Sequence, residues 1–256
     1  MLAKERRDQI KSILDSEKTV TVKKLAQDLN VTMETIRSDL EYLSKKNVGI
    51  IKVHGGAYKI DTFDKTIPIK LREQVMVKEK QYLGKMASSF IQDGDILMLD
   101  SSSTSFCIAK ELNANKIKAT VITNSLSIIN ILSNSHLIKL ICLGGNLIDK
   151  SNAFCGTITI NNLKKLHADK AFLSPTSISK KFGLSHDDEF AAQISKKMID
   201  NSDNVFLVVD HTKFGKSSLT KIEDFEKINC VISNKKPDKS WIDFFKENKI
   251  ILKTYN

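Results

Sequence analysis

Short apolar runs alternate with helical stretches through most of this 256-residue chain, and this alternation constrains the fold more than any other feature. The run ILML at 96–99 is apolar throughout, as expected of a strand buried on both faces of a parallel sheet. Further strands are predicted at 120–123, 137–143, 170–173, 205–209 and 230–232, and helices at 78–92, 104–112, 126–132 and 187–199. The pattern predicts an α/β domain with a parallel sheet.

Small polar residues directly follow several of these strands. In parallel α/β sheets, ligands bind beyond the carboxyl ends of the strands, and N–H groups at a helix N-terminus bind anions. A serine-rich loop or a Gly-Gly pair alone is more often an ordinary turn, but their shared position favours a site for a small phosphorylated, polyhydroxy ligand. The candidate effector-binding residues are Asp100, Ser101, Ser102, Ser103, Thr104, Ser105, Asn124, Ser125, Gly144, Gly145, Asp210 and Lys213.

Three helical patterns lie within the first 43 residues. A short amphipathic helix is predicted at 6–14, a second at 22–29 after the N-cap Thr21, and a third from residue 33 after the N-cap Thr32. Asn30 can end the second helix in a left-handed conformation, so only a tight turn separates it from the third. This spacing is typical of a helix-turn-helix. The predicted buried stripe of the third helix is Met33, Ile36, Leu40 and Leu43.

The polar face of the third helix and the stretch behind it suit DNA. Formal net charge is +10, and no acid occurs between residues 42 and 60. Runs at 50–53 and 57–60 flank Gly55-Gly56 and predict a hairpin, the wing of a winged helix. A lone arginine such as Arg37 is usually solvated, but the turn before it and the basic stretch after it favour base or phosphate contact. The candidate DNA-binding residues are Thr21, Lys23, Thr32, Glu34, Thr35, Arg37, Ser38, Lys45, Lys46, Lys52, His54, Gly55 and Gly56.

Two of these motifs resemble the N-terminal signature of DeoR-type bacterial repressors. VTMETIRSDL at 31–40, followed by KVHGGAYK at 52–59, is similar to a V-S-x-x-T-I-R-R-D-L helix followed by R-x-H-G-G-A. Ser38 stands where the family usually has a second Arg, and Lys52 stands for the wing Arg. Because Arg and Lys are not equivalent at forked contacts, the resemblance implies DNA binding without implying the operator sequence.

The resemblance extends over roughly residues 3–235. The family's sensor-domain marks D-x-G-T-T, T-N-S, G-G, D-K-A-F-L-G and D-x-x-K-F-G are similar to the segments at 100–104, 123–125, 144–145, 169–174 and 210–215. They imply a fold similar to ribose-5-phosphate isomerase and glucosamine-6-phosphate deaminase, and a sugar-phosphate effector. Serines replace family glycines at Ser102, Ser174 and Ser177. Ser102 can crowd a phosphate or donate a hydrogen bond to it, so effector identity is not carried over.

The expected architecture is a winged helix-turn-helix at 1–60, a linker at 61–76 and a larger α/β effector domain at 77–256. The four cysteines are scattered without a CxxC spacing, so we expect free thiols and no metal site. No apolar run approaches the roughly 20 residues of a membrane span, and the N-terminus lacks an apolar signal core. A cytoplasmic location is therefore expected, with no membrane partner and no cofactor besides the sugar-phosphate effector.

The leading hypothesis is a DNA-binding transcriptional regulator, a repressor of sugar-metabolism genes, controlled by a phosphorylated sugar. A homo-oligomer, dimer or tetramer, is expected because helix-turn-helix proteins usually read paired half-sites. No catalytic residue is expected. The alternative is a sugar-phosphate isomerase or deaminase-like enzyme with a DNA-binding module, and a non-specific DNA-coating protein fits the large ligand-type domain poorly. Candidate bases for the enzyme are His186, Asp187, Asp188, Glu189, Asp210 and His211.

Overall fold

The structure, a computed structural model, describes residues 1–46, 49–53, 55–59 and 68–255. These residues form two compact units, Met1–Met76 and Val77–Asn256. Among the helices described, each is too short or too polar to cross a bilayer.

The described part of the first unit contains four helices and a small antiparallel sheet. Its elements are α1 (Ala3–Glu17), β1 (Thr19–Thr21), α2 (Val22–Asp28), α3 (Met33–Lys46), β2 (Ile50–Val53), β3 (Gly56–Lys59) and α4 (Ile69–Arg72). The predicted hairpin is present, and β1 adds a third strand in the order β1-β3-β2. Sequence reasoning missed β1 because three residues are too few to display an alternating pattern.

The cores of this unit confirm most of the predicted helix stripes. Ile36 and Leu40 of α3 are fully buried. Met33 was wrongly predicted to be buried: its side chain is 49% exposed, because it lies in the first turn, at the end of the buried stripe. Val75 and Met76, from the segment interpreted as linker, pack with Ile51 of the hairpin and so belong to the first unit. The rest of that segment, 61–67, lies outside the described residues.

The second unit is a seven-stranded parallel sheet covered by helices. Its elements are α5 (Val77–Ser88), β4 (Ile96–Leu99), α6 (Ser103–Ala114), β5 (Ala119–Thr123), α7 (Leu126–Leu132), β6 (Ile138–Cys142), β7 (Asn146–Ile148), β8 (Ala153–Cys155), α8 (Thr157–Leu163), β9 (Ala168–Leu173), β10 (Ser177–Ser179), β11 (Gly183–His186), α9 (Glu189–Asp200), β12 (Ser202–Val209), β13 (Thr220–Glu223), β14 (Cys230–Ser233), α10 (Lys239–Glu247) and β15 (Ile251–Thr254). Every predicted strand and helix is present. The predicted fold class, a small helix-turn-helix unit and a larger α/β unit, is confirmed.

The order of the strands indicates where this sheet is expected to bind a ligand. The order is β15-β14-β12-β9-β4-β5-β6, so the chain moves to one side of β4 through β5 and β6, then to the other side through β9. The direction therefore reverses between β4 and β9, and such a switch point is where open α/β sheets bind ligands. Successive residues of β4 point to opposite faces: Met98 joins one apolar core, and Leu97 and Leu99 join the other.

The helix α5 has its most deeply buried residues next to those from which the helix was predicted. Tyr82, Met86 and Phe90 were predicted to share one side of this helix, yet they are only partly buried, whereas Leu83 and Ala87 are fully buried. Phe90 lies beyond the end of α5 and packs on Phe206, with ring centroids 5.3 Å apart. Large aromatic residues thus flank the true core stripe, which consists of smaller side chains.

Candidate functional site

The turn between α2 and α3 has the capping geometry that the sequence predicts. Thr21 caps α2 by accepting a hydrogen bond from the Lys24 N–H at 3.2 Å, and Asn30 adopts a left-handed φ of 50°. Thr32 caps α3 by accepting from the Thr35 N–H at 3.2 Å. These caps fix where α3 begins, and therefore which of its residues form the exposed N-terminal half.

The exposed face of α3 carries an ion pair in its first two turns. The guanidinium of Arg37 donates to the Glu34 carboxylate at 2.9 Å, and both side chains are largely exposed. Ser38 is exposed on the same helix, and Thr35 is partly buried. Surface ion pairs of this kind stabilise little, about 0–1 kcal/mol, so Arg37 can exchange Glu34 for a base or phosphate at small cost.

Glycine is required at positions 55 and 56 of the hairpin for two different structural reasons. Gly55 has a φ of 93°, which favours glycine, and its carbonyl accepts from the Val22 N–H at 2.7 Å. A Cβ on Gly56 would lie 2.0 Å from the Val20 carbonyl oxygen, so Gly56 is required by the packing of β3 against β1. The pattern of residues around Gly56 does not reveal this second role. Lys52 of the hairpin is exposed and pairs with Glu41 at 3.2 Å.

The remaining DNA-binding candidates are placed unevenly. Lys23 is exposed on α2. Lys45 and Lys46 end α3, but their side chains lie outside the described part of the chain, as does His54 altogether. Within the described residues, the candidate Lys52 is linked to α3 through its pair with Glu41, which was not itself predicted to contact DNA.

A buried charge cluster, which sequence reasoning missed, anchors α3 to α1. Asp39 is 1% exposed and accepts hydrogen bonds from Arg6 Nε at 2.5 Å and Arg7 Nε at 2.7 Å. The Arg7 guanidinium also lies 3.8 Å from the centre of the Tyr42 ring. Asp39 falls on the side of α3 that faces the other helices. A buried acid needs a partner, so an acid within this apolar stripe was the signal that could have predicted the charge cluster.

In the second unit, Asp100 is the centre of the candidate anion loop. Its carboxylate is 4% exposed and accepts from the Ser102 N–H at 3.1 Å, the Ser105 hydroxyl at 2.6 Å and the Ser174 N–H at 2.7 Å. The first two bonds shape the loop after β4, and the third ties it to the end of β9. Asp100 therefore positions the loop across the switch point.

Some of the hydroxyl groups next to Asp100 form hydrogen bonds within the protein, and others are exposed. Ser102 caps α6 by accepting from the Ser105 N–H at 3.0 Å, and a hydroxyl that accepts in this way can also donate its own hydrogen. Ser105 is fully buried against Asp100, and the Thr104 hydroxyl lies 3.3 Å from that of Ser174. Ser103 is buried, and Ser101 is partly exposed at the front of the loop.

The residues after β5 and β6 are held by the β7–β8 hairpin and α8. Asn124 Nδ2 donates to the Phe154 carbonyl at 3.0 Å, and Ser125 caps α7. Asn124 Oδ1 is buried and, among the described residues, has no hydrogen-bond partner. Thr159 donates to the Gly144 carbonyl at 2.6 Å, and a Cβ on Gly145 would lie 2.2 Å from the Thr159 hydroxyl oxygen. The Gly-Gly pair thus allows α8 to approach this edge closely.

The loop after β12 brings positive charge to the same edge. Asp210 is 4% exposed and accepts from the Thr212 N–H at 2.9 Å, and it opens a short 3-10 helix at His211–Lys213. Burial lowers the pKa of the Lys216 ammonium, and the nearby charge of Lys213 lowers it further, against the opposing effect of Asp210. The charges of Lys213 and Lys216 therefore repel each other in the loop after β12, and a bound anion would relieve that repulsion.

Several candidate bases of the enzymatic alternative have structural partners. Asp188 caps α9 by accepting from the Ala191 N–H at 2.8 Å, and His186 Nδ1 lies 3.0 Å from the Thr176 hydroxyl. The His211 N–H donates to Asn234 Oδ1 at 2.8 Å. Asp187 and Glu189 flank Asp188 at the start of the same helix. Each base considered for catalysis therefore lies in or beside a cap or loop bond.

The cysteines are free, as predicted. Burial, with a smaller contribution from the Asp188 charge, raises the pKa of the Cys155 thiol to about 11, so this thiol is protonated at neutral pH and a poor nucleophile. Across the residues that the structure describes, no three His, Cys, Asp or Glu side chains converge as metal ligands would.

Two protein-family domains match this chain in the predicted order. The DeoR-like helix-turn-helix domain matches residues 6–63, and the DeoR C terminal sensor domain matches residues 75–235. The chain is 33% identical over 250 residues to an uncharacterized HTH-type transcriptional regulator, YulB, of Bacillus subtilis, covering 98% of this chain and 96% of that one. It is 30% identical to the lactose phosphotransferase system repressor of Staphylococcus aureus, again covering 98% and 96%.

Among solved structures, part of this chain is similar to a ribose 5-phosphate isomerase A from Methanocaldococcus jannaschii. The identity is 17%, the TM-score is 0.39, and the match covers 53% of each chain.

Proposed function

The chain belongs to the DeoR family of transcriptional regulators, and from this premise we propose that it represses genes of sugar metabolism under the control of a phosphorylated sugar. The observation that carries the proposal is that one chain matches the family's helix-turn-helix and its sensor domain, over residues 6–63 and 75–235. The lactose phosphotransferase system repressor, similar over 98% of the chain, supports repression and a sugar-derived signal. Operator DNA is the proposed partner, and the cytoplasm is the corresponding location.

The first unit is proposed to bind DNA through α3 and the hairpin. The exposed N-terminal half of a recognition helix contacts base edges, and Arg37 is the cation on that part of α3. Lys52 on the hairpin is suited to a phosphate. Homo-oligomerisation remains part of the proposal, because a helix-turn-helix protein of this kind reads paired half-sites.

Replacing Arg37 with alanine is expected to weaken specific operator binding by about 1–3 kcal/mol, because a bidentate contact is lost. Lys52→Ala is expected to weaken binding to all duplexes and to lower the salt slope by about one. Binding to a duplex selected by this protein from a random library, measured at several salt concentrations, checks the prediction. Lys11→Ala, which changes an exposed lysine of α1, is the matched control. Unchanged affinity of a folded Arg37→Ala variant would contradict the recognition role of α3.

The second unit is proposed to bind the effector at the switch point between β4 and β9. The α6 N-terminus and its serine loop supply donors for a phosphate, and Lys213 supplies positive charge. Their strands, β4 and β12, both pair with β9, so the serine loop and Lys213 follow the carboxyl ends of strands on either side of β9 and lie at the same edge of the sheet. Asn124 Oδ1, buried without a partner among the described residues, is suited to accept a hydrogen bond from a sugar hydroxyl.

Lys213→Ala is expected to bind the operator normally but to lose the effector's influence on that binding, because the counter-charge for the phosphate is removed. The effector is first identified by thermal shift against a panel of sugar phosphates, since a ligand of the folded state raises apparent stability. Operator binding is then titrated with the effector and with its unphosphorylated sugar, which is expected to be inert. Lys239→Ala, an exposed lysine elsewhere in the unit, is the control. A normal response in Lys213→Ala, or an active bare sugar, would place the anion site elsewhere.

The protein is proposed to sense sugar phosphates without converting them. Asp188 and Asp210, two of the acids considered for catalysis, already cap helices, which leaves them poorly placed to accept a substrate proton. Incubating the protein with each compound that raises its melting temperature, and following product formation, distinguishes the two functions. Steady multiple turnover would favour the enzymatic alternative.

A further inference from the structure

Met33 is a large apolar side chain exposed at the start of the recognition helix. It is the first residue of α3 and follows the N-cap Thr32. Its side chain is 49% exposed, whereas Ile36 and Leu40 of the same helix are fully buried. The core of the first unit therefore does not explain a methionine at this position.

The neighbours of Met33 show what kind of surface it completes. Arg37 is one turn further along α3 and shares its side of the helix, because residues four apart are neighbours. The Arg37 guanidinium is paired with Glu34 at 2.9 Å, and the hydroxyls of Thr32 and Thr35 pair at 2.9 Å. Met33 thus contributes an apolar surface to a helix end that otherwise presents paired polar groups.

Isolated exposed apolar residues are common on protein surfaces, so exposure alone carries no function. The position of Met33 on α3 points to a function, since the N-terminal residues of a recognition helix are those that contact base edges in the major groove. The apolar feature of the major groove is the C5-methyl group of thymine, which proteins read by apolar contact. Methionine suits such a contact because its thioether chain is flexible and polarisable.

We infer that Met33 reads the methyl group of a thymine in the operator and is a specificity-determining residue. The inference rests on the proposed DNA-binding function of α3. Four residues of helix span about 6 Å, close to two base steps of DNA. The thymine therefore lies within about two base pairs of the nucleotide that Arg37 contacts.

The test removes the methyl group from the DNA and the side chain from the protein. In the duplex selected by the full-length protein, each thymine is replaced in turn by deoxyuridine, which lacks only the C5-methyl group. Binding is measured by fluorescence anisotropy for the wild type, for Met33→Ala and for Leu2→Ala, which changes a side chain that is 71% exposed at the start of α1. Circular dichroism verifies that each variant is folded.

One deoxyuridine substitution is expected to weaken wild-type binding by about fourfold, the effect of one buried methyl-sized group. Met33→Ala is expected to bind the thymine and deoxyuridine duplexes equally, and Leu2→Ala to discriminate as the wild type does. If Met33→Ala keeps the discrimination, or if the wild type is indifferent to every substitution, the inference is overturned. If the wild type selects no duplex at all, the proposed DNA-binding function itself fails.

Discussion

Asp39→Ala is expected to lower the free energy of unfolding of the first unit by about 3 kcal/mol and to abolish specific operator binding. Removing one partner of a buried ion pair leaves the other charge uncompensated, which typically destabilises by roughly 3–5 kcal/mol. The lower end applies because Arg7 is 26% exposed and can reach water, whereas Arg6 is only 11% exposed. Specific binding falls because Asp39 is the acid that joins α3 to both arginines of α1.

The two units offer an internal control for this measurement. Trp241, the chain's only tryptophan, lies in the core of the second unit, so its fluorescence follows that unit. In Asp39→Ala, the amides of α1 and α3 are expected to lose protection from hydrogen exchange at a lower urea concentration than in the wild type. The urea midpoint of the Trp241 fluorescence transition is expected to stay unchanged. Asp8→Ala, an exposed acid on α1, is expected to change stability by no more than about 0.5 kcal/mol. A first unit as stable in Asp39→Ala as in the wild type would show that the cluster is dispensable.

Asp100→Ala is expected to destabilise the second unit by about 3 kcal/mol and to remove the effector response. Its carboxylate accepts two N–H bonds and one hydroxyl bond, each of a type worth roughly 1.5–3 kcal/mol, and its loss leaves buried donors without partners. Because two of those donors belong to the loop after β4, the candidate anion site loses its shape together with its stability.

Trp241 fluorescence during urea unfolding is the readout for Asp100→Ala, and operator binding with and without the effector is the second measurement. Ser101→Ala is the matched control for the stability measurement, because Ser101 is partly exposed and is not among the three donors to Asp100. Asp100→Asn retains one acceptor oxygen and is expected to lose less stability than Asp100→Ala. An Asp100→Ala protein that still responds to the effector would show that the loop does not depend on this carboxylate.

The parts of this fold that the sequence predicts are those with a repeated apolar pattern. The run at 96–99 and the helix at 126–132 have the predicted bounds because burial on both faces, or along one stripe, leaves a pattern in the residues themselves. The antiparallel strands β10, β11 and β13 were missed because three or four partly polar residues carry no such period. Their pairing depends on partners distant in sequence.

The candidate sites show the same limit more sharply. Residue type and position after a strand indicated Asp100 and Asp210 as site residues, but not that their carboxylates are occupied by N–H and hydroxyl donors of their own loops. Met33 was assigned to the core because its spacing to Ile36 matches a helical stripe, and only the packing of the first turn shows that it is exposed. The spacing of residues predicts which of them share a face of a helix, whereas the exposure of a side chain depends on where the neighbouring elements end.

The acid–base pairing on α3 has a consequence for how quickly this protein searches a chromosome. Glu34 and Glu41 stand beside Arg37 and Lys52, the cations proposed to touch DNA. On a non-cognate duplex, we expect these carboxylates to lie near phosphates and to oppose the sequence-independent attraction that holds basic proteins on any DNA. Shorter dwell times on wrong sites are the expected consequence, so that the search would proceed through many brief encounters. A recognition helix partly neutralised by its own acids exchanges some non-specific affinity for a faster arrival at the right site.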